Sequence, residues 1–113
     1  MQWGKDMIYT IEELKKRIIP VAEKYQLRAV YLFGSYARNE ATDDSDVDIL
    51  VDRTDSIVKG WSIGGLYNDL CESIGKQVDL VTTGSLEDED AKRRTPWFVE
   101  DVKRERMQIY EKS

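Results

Sequence analysis

Leu32-Phe33-Gly34-Ser35-Tyr36-Ala37-Arg38-Asn39-Glu40-Ala41-Thr42-Asp43-Asp44-Ser45-Asp46-Val47-Asp48-Ile49-Leu50-Val51 is the stretch on which the fold turns. It begins inside a short apolar strand, Ala29-Val30-Tyr31-Leu32-Phe33, rich in β-branched and aromatic residues. Gly34-Ser35 stops that strand, and a short helical segment follows to about Asn39. A second strand runs from about Asp46 to Val51. Side chains alternate across a strand, so Asp46 and Asp48 point together while Val47, Ile49 and Val51 point the other way. A packed helix satisfies the apolar side. The acidic side sets like charges on neighbouring positions, which is costly unless a cation lies between them. Two carboxylates with room for water and phosphate oxygens suit Mg²⁺.

Working outward, a third strand over Gln77–Val81 repeats the pattern. Val78 and Leu80 face the core, and Asp79 points to the opposite side, where it can join the other two carboxylates. Gly34 allows close backbone approach to a ligand, and the Ser35 hydroxyl with the following amides can hold a phosphate. A phosphate cradle facing a three-carboxylate cation site is the apparatus of phosphoryl or nucleotidyl transfer. Upstream, Thr10-Ile11-Glu12-Glu13 reads as a capping box that opens a first helix with the stripe Ile11, Leu14, Ile18, Ala22 and Tyr25. Pro20 is expected to kink or split it. Trp61–Ile74 reads as a helix with Leu66, Leu70 and Ile74 on one face and Gly75 as its stop. Thr95-Pro96 starts a last helix whose stripe runs from Val99 and Val102 through Arg106 to Ile109 and Tyr110. Leu86-Glu87-Asp88-Glu89-Asp90 reads as a solvated acidic loop. The expected class is α/β (α+β): a small mixed sheet with helices packed on one face.

The 113 residues are expected to form a single domain, 1–113, and 41% apolar content suffices for one core. Seventeen basic residues against 22 acidic ones leave a net charge of −5, which argues against a general nucleic-acid coat and against a template partner. No histidine is present, which excludes histidine-based triads, HExxH zinc sites and histidine-dependent RNase chemistry. Cys71 alone makes no internal disulfide and no cysteine zinc cluster. Met1–Asp6 lacks the apolar core of a signal peptide and no run approaches a membrane span, so the expected location is a reducing cytoplasm without membrane attachment.

Gly34-Ser35, ten intervening residues and then Asp46-Val47-Asp48, with Asp79 later, match the nucleotidyltransferase signature of the DNA polymerase β superfamily. The chain resembles in particular the minimal nucleotidyltransferase (MNT) group of that superfamily. The resemblance implies a palm-like nucleotidyltransferase fold, two Mg²⁺ ions and ATP as substrate. It implies that Asp46 and Asp48 ligate the metals, that Gly34 and Ser35 hold the triphosphate, and that Asp79 completes the site and activates an attacking hydroxyl. Arg38 lies in the same stretch, where it can meet a phosphate or stand as a surface residue; it joins Gly34 and Ser35 as a nucleotide-binding candidate. Asn39 replaces the glycine usual after Ala-Arg, and because Asn tolerates left-handed backbone the turn is expected to survive. Many MNT proteins are antitoxins paired with HEPN-domain RNase toxins, and some adenylylate a toxin tyrosine. A HEPN toxin is therefore the implied partner and its tyrosine the implied acceptor, with a homodimer also possible.

Other readings stand beside these. A contact-only antitoxin needs no turnover, and an aminoglycoside-type nucleotidyltransferase needs acceptor-binding elements for which little chain remains. Asp43 and Asp44 read as turn residues capping the strand. Asp44, Asp46 and Asp48 mimic the start of an EF-hand loop, but Ile49 stands where that loop needs glycine. Trp61, Tyr67, Trp97 and Phe98 read first as core or edge packing, with Trp97-Phe98 a possible partner surface. Cys71 reads as a small buried residue and Trp3 is uninformative.

Overall fold

The computed structural model describes residues 8–113, so the readings of Met1–Asp6 and Trp3 lie outside the described residues. Thr10 closes the capping box: its Oγ1 accepts from the Glu13 amide at 3.1 Å, and Glu13 Oε1 accepts from the Thr10 amide at 2.8 Å. The helix it starts, α1 (Ile11–Lys24), runs through Pro20 as one element, so the chain does not split there. Pro20 is exposed, and the buried stripe Leu14, Ile18, Val21 and Ala22 holds both sides of it on the sheet.

β1 (Ala29–Phe33), α2 (Gly34–Ala37) and β2 (Val47–Asp52) follow. A 3₁₀ turn at Gly60–Ser62 leads into α3 (Ile63–Ile74), which crosses over to β3 (Val78–Thr82). Gly75 stops α3 in the left-handed conformation, φ 75°. The chain then forms α4 (Thr83–Leu86), α5 (Glu89–Arg94), α6 (Pro96–Glu105) and β4 (Met107–Glu111). The four-stranded sheet has the order β3-β2-β1-β4. β1 is antiparallel to β2 and β4, whereas β2 and β3 are parallel and need the α3 crossover.

Two local readings change. The last helix stops at Glu105, and Ile109 and Tyr110 belong to β4 rather than to its stripe. β1 otherwise presents an unpaired edge, and β4 fills it from Ala29↔Glu111 to Leu32↔Met107. That long-range pairing overrides a helical period that two apolar residues could extend. The acidic segment is indeed exposed at Glu87, Asp88, Glu89 and Asp90, but it is not a plain loop. Leu86 is buried at the end of α4, and Asp88 caps α5 by accepting from the Asp90 amide at 2.7 Å.

Strand alternation sorts the core into two layers. Val30, Leu32, Val47, Ile49, Val51, Val78 and Ile109 pack with Leu14, Ile18 and Ala22 of α1 and Leu66, Leu70 and Ile74 of α3. On the other face Phe33 and Leu50 pack with Leu86, Val99 and Val102. The longer helices thus cover one face as expected, while α4 and α6 add a smaller apolar cover to the second. Leu50, between Asp48 and Asp52 in a strand, is the residue that recruits them. Among the described residues no helix is long and apolar enough to cross a membrane. Trp61 does not pack as read: it stands 87% exposed in the 3₁₀ turn.

Ile49 is fully buried at the centre of the larger layer. Ile49→Ala is expected to lower unfolding free energy in urea by about 2–5 kcal/mol, whereas Trp61→Ala changes it by no more than about 0.5 kcal/mol. Equal losses would contradict this placement of the core.

Candidate active site

β2 lies between β1 and β3, and its register sets the site. Asp48 pairs with Phe33 on one side and with Asp79 on the other. The residue after Phe33 is Gly34, held at φ 68° where the chain leaves the strand. A β-carbon at Gly34 would lie 2.9 Å from Asp48 Cγ and closer still to its Oδ2. Glycine is required here twice, by the left-handed backbone and by the carboxylate pressed against it. Arg38 closes α2, and Asn39 follows at φ 59°, so the turn keeps its shape without the usual glycine.

Gly34, Ser35, Arg38, Asp48 and Asp79 line one cleft of about 320 Å³, together with Phe33 and with Phe98, Asp101, Val102 and Glu105. Five of the six candidate residues therefore meet. Asp46 does not line that cleft. It precedes Val47, the first residue of β2, so the ladder does not fix its direction. Asp46 lines a neighbouring cavity of about 490 Å³ with Asp43, Asp44, Ser45, Cys71, Gly75, Lys76 and Gln77. Buried Lys76 donates from Nζ to the Asp43 carbonyl at 2.9 Å and to the Ser45 carbonyl at 3.4 Å, which ties down the loop before the strand. Cys71 is half-buried at this cavity rather than fully buried. The expected convergence of three carboxylates is thus incomplete: among the described residues no group of three Asp, Glu, Cys or His is assembled as a metal set. The calcium-loop reading fails too, since Asp48 lies within a strand.

Electrostatics nevertheless couple the three acids. Burial pushes the half-buried Asp48 carboxyl up to about 6, with the charges of Asp79 and then Asp46 adding to it and Arg38 opposing it. An ionised Asp48 is short of positive charge. Oxygen-only donors with that deficit fit a hard divalent cation such as Mg²⁺, which would sit at Asp48 and Asp79 with Asp46 in reach of its field.

The reading of the sequence missed what α6 brings. Phe98 meets Phe33 edge-on, with ring centres 6.1 Å apart and planes at 82°. Its packing role holds, while Trp97 beside it is 65% exposed. Glu105, the last residue of α6, accepts from Arg38 Nη1 at 2.6 Å. Only the placement of α6 on the second sheet face reveals these neighbours, and the signals for it are Phe33 and Leu50 on that face and the stripe of Val99 and Val102.

The family profile described as polymerase beta, nucleotidyltransferase matches residues 16–113. A Methanocaldococcus jannaschii protein provisionally named a protein adenylyltransferase is 40% identical over 79 residues, covering 67% of this chain and 81% of its own. Protein adenylyltransferase MntA of Thermococcus cleftensis is 37% identical over 89 residues, covering 74% of this chain and 87% of its own. A solved structure described as a tri-AMPylated Shewanella oneidensis HEPN toxin in complex with MNT antitoxin is similar in fold, with a TM-score of 0.61. That match is 22% identical and covers 90% of this chain and 73% of that chain.

The raised Asp48 carboxyl has a consequence for stability. Between its ordinary value and about 6, the folded protein keeps a proton that the unfolded chain has released. Ionising Asp48 therefore removes stability as pH rises through that window. In EDTA, Asp48→Asn is expected to raise Tm at pH 7 and to lose that advantage at pH 4. A lower Tm for the variant at pH 7 would contradict the charge crowding.

Proposed function

The chain belongs to the polymerase β nucleotidyltransferase family, and on that premise we propose that it is a Mg²⁺-dependent protein adenylyltransferase. It transfers AMP from ATP to a tyrosine hydroxyl of a HEPN-domain toxin and so acts as that toxin's antitoxin. The observation that carries this reading is the strand register that sets Gly34, Asp48 and Asp79 around one cleft. Support for the chemistry comes from relatives named protein adenylyltransferases, and for the partner from the HEPN complex of similar fold.

In this reading Gly34 lets the backbone approach the triphosphate, and the Ser35 hydroxyl with the amides of the turn binds its oxygens. Asp48 and Asp79 would hold Mg²⁺, which when bound supplies positive charge to the phosphates and to the attacking and leaving oxygens. The acceptor oxygen bonds to the α-phosphorus, the bond to the β-phosphate oxygen breaks, and pyrophosphate leaves. Asp79, exposed at the edge strand, takes the hydroxyl proton. Phe33 and Phe98 wall the cleft on its apolar side and limit water. The acceptor surface is the partner's own. Trp97, 65% exposed beside Phe98 at the start of α6, is offered to that partner surface.

Incubation with labelled ATP, Mg²⁺ and a cognate HEPN toxin is expected to label the toxin, and Asp48→Ala to cut the rate by about 100-fold or more. Replacing the acceptor tyrosine should also stop labelling. Full toxin neutralisation by Asp48→Ala would overturn catalysis as the antitoxin mechanism and leave binding alone as its basis.

A further inference from the structure

Arg38 is the one cation among the residues lining the cleft, against Asp48, Asp79, Asp101 and Glu105. Asp101 has its own partner, Arg104, at 2.8 Å. Arg38 is held at two points. Its Nε donates to Glu40 Oε1 at 2.8 Å, and its Nη1 donates to Glu105 at 2.6 Å to Oε1 and 3.4 Å to Oε2. The two carboxylates differ in surroundings: the Glu40 side chain is 66% exposed and stands outside the cleft lining, whereas that of Glu105 is 17% exposed and lines it.

We propose that Glu105 is an intramolecular stand-in for phosphate. It holds the Nη edge of Arg38 at the cleft in the nucleotide-free protein. An entering triphosphate displaces it, while Glu40 keeps its grip on Nε. This rests on the reading that the cleft receives a nucleoside triphosphate. A guanidinium fork binds carboxylate and phosphate oxygens with the same planar geometry, so the exchange needs no rebuilding of the arginine. A half-exposed ion pair is weak enough to be outcompeted by a more highly charged group. Displacement has a consequence for Glu105: it is left mostly buried beside Asp101 and without its counter-charge. Nucleotide affinity is therefore lower than the cleft alone would give. Glu105 acts through Arg38 and is a positioning residue; it links the turn after β1 to the end of α6.

Titration calorimetry with Mg²⁺ and a non-hydrolysable ATP analogue tests the exchange in parent, Glu105→Gln, Arg38→Ala and the double variant, each first checked for an unchanged Tm. Glu105→Gln is expected to tighten binding roughly two- to fivefold, the worth of a partly exposed pair. Arg38→Ala is expected to weaken it, and Glu105→Gln in the Arg38→Ala background to change nothing. Glu40→Gln should not tighten binding. An equal gain from Glu105→Gln without Arg38, or from Glu40→Gln, would overturn the exchange in favour of simple charge removal. Looser binding by Glu105→Gln would overturn the exchange, with Glu105 holding Arg38 in its nucleotide-binding position instead. A parent that binds the analogue while Glu105→Gln leaves affinity unchanged overturns the exchange alone. A parent that binds no analogue overturns the nucleotide reading with it.

Discussion

Asp48 occupies the middle of a ladder, with Phe33 across one side and Asp79 across the other, and the meeting of Gly34, Asp48 and Asp79 at the cleft follows from that pairing. A slip of one residue in β2 would turn Asp48 into the core and Val47 or Ile49 into the cleft. The slip is prevented by apolar burial, since Val47, Ile49 and Val51 are all fully buried against α1 and α3. The hydrophobic layer on one face of the sheet thus aims the carboxylates on the other. Gly34 completes the arrangement because only a residue without a side chain fits between the end of β1 and Asp48.

The same arrangement concentrates negative charge. Burial and the charges of Asp79 and Asp46 all work against ionised Asp48. Such a group costs stability where it stands, which fits a site that receives a cation. Arg38 is the internal counterweight. Tied to Glu40 and Glu105, it neutralises acids at the rim more than it neutralises Asp48, and so the central deficit persists. That deficit is what the proposed function uses: a divalent ion would supply the charge that Asp48 lacks.

Much of this was legible from local pattern. Thr10 and Glu13 lie three residues apart and cap as expected, Asn39 adopts the left-handed turn, and alternation along Val47–Val51 and Val78–Leu80 fixes which side faces the core. What escaped depends on distant parts of the chain. Arg38 and Glu105 are 67 residues apart, and no spacing rule joins them. β4 exists because β1 has an edge to fill, not because Met107–Glu111 announces a strand. Asp46 obeys the period of two on paper, yet it precedes the first paired residue and is free of the rule. Pro20 shows the reverse: a local breaker does not divide a helix whose stripe is buried on both sides of it.

A crystal structure with Mg²⁺ and a non-hydrolysable ATP analogue tests most directly whether strand register builds the active site. The triphosphate is expected against Gly34 and Ser35, with metal ions at Asp48 and Asp79 and the Arg38 Nη edge turned from Glu105 to a phosphate oxygen. Nucleotide seated instead in the cavity of Asp46, Cys71 and Lys76, or bound without metal at Asp48, would contradict it.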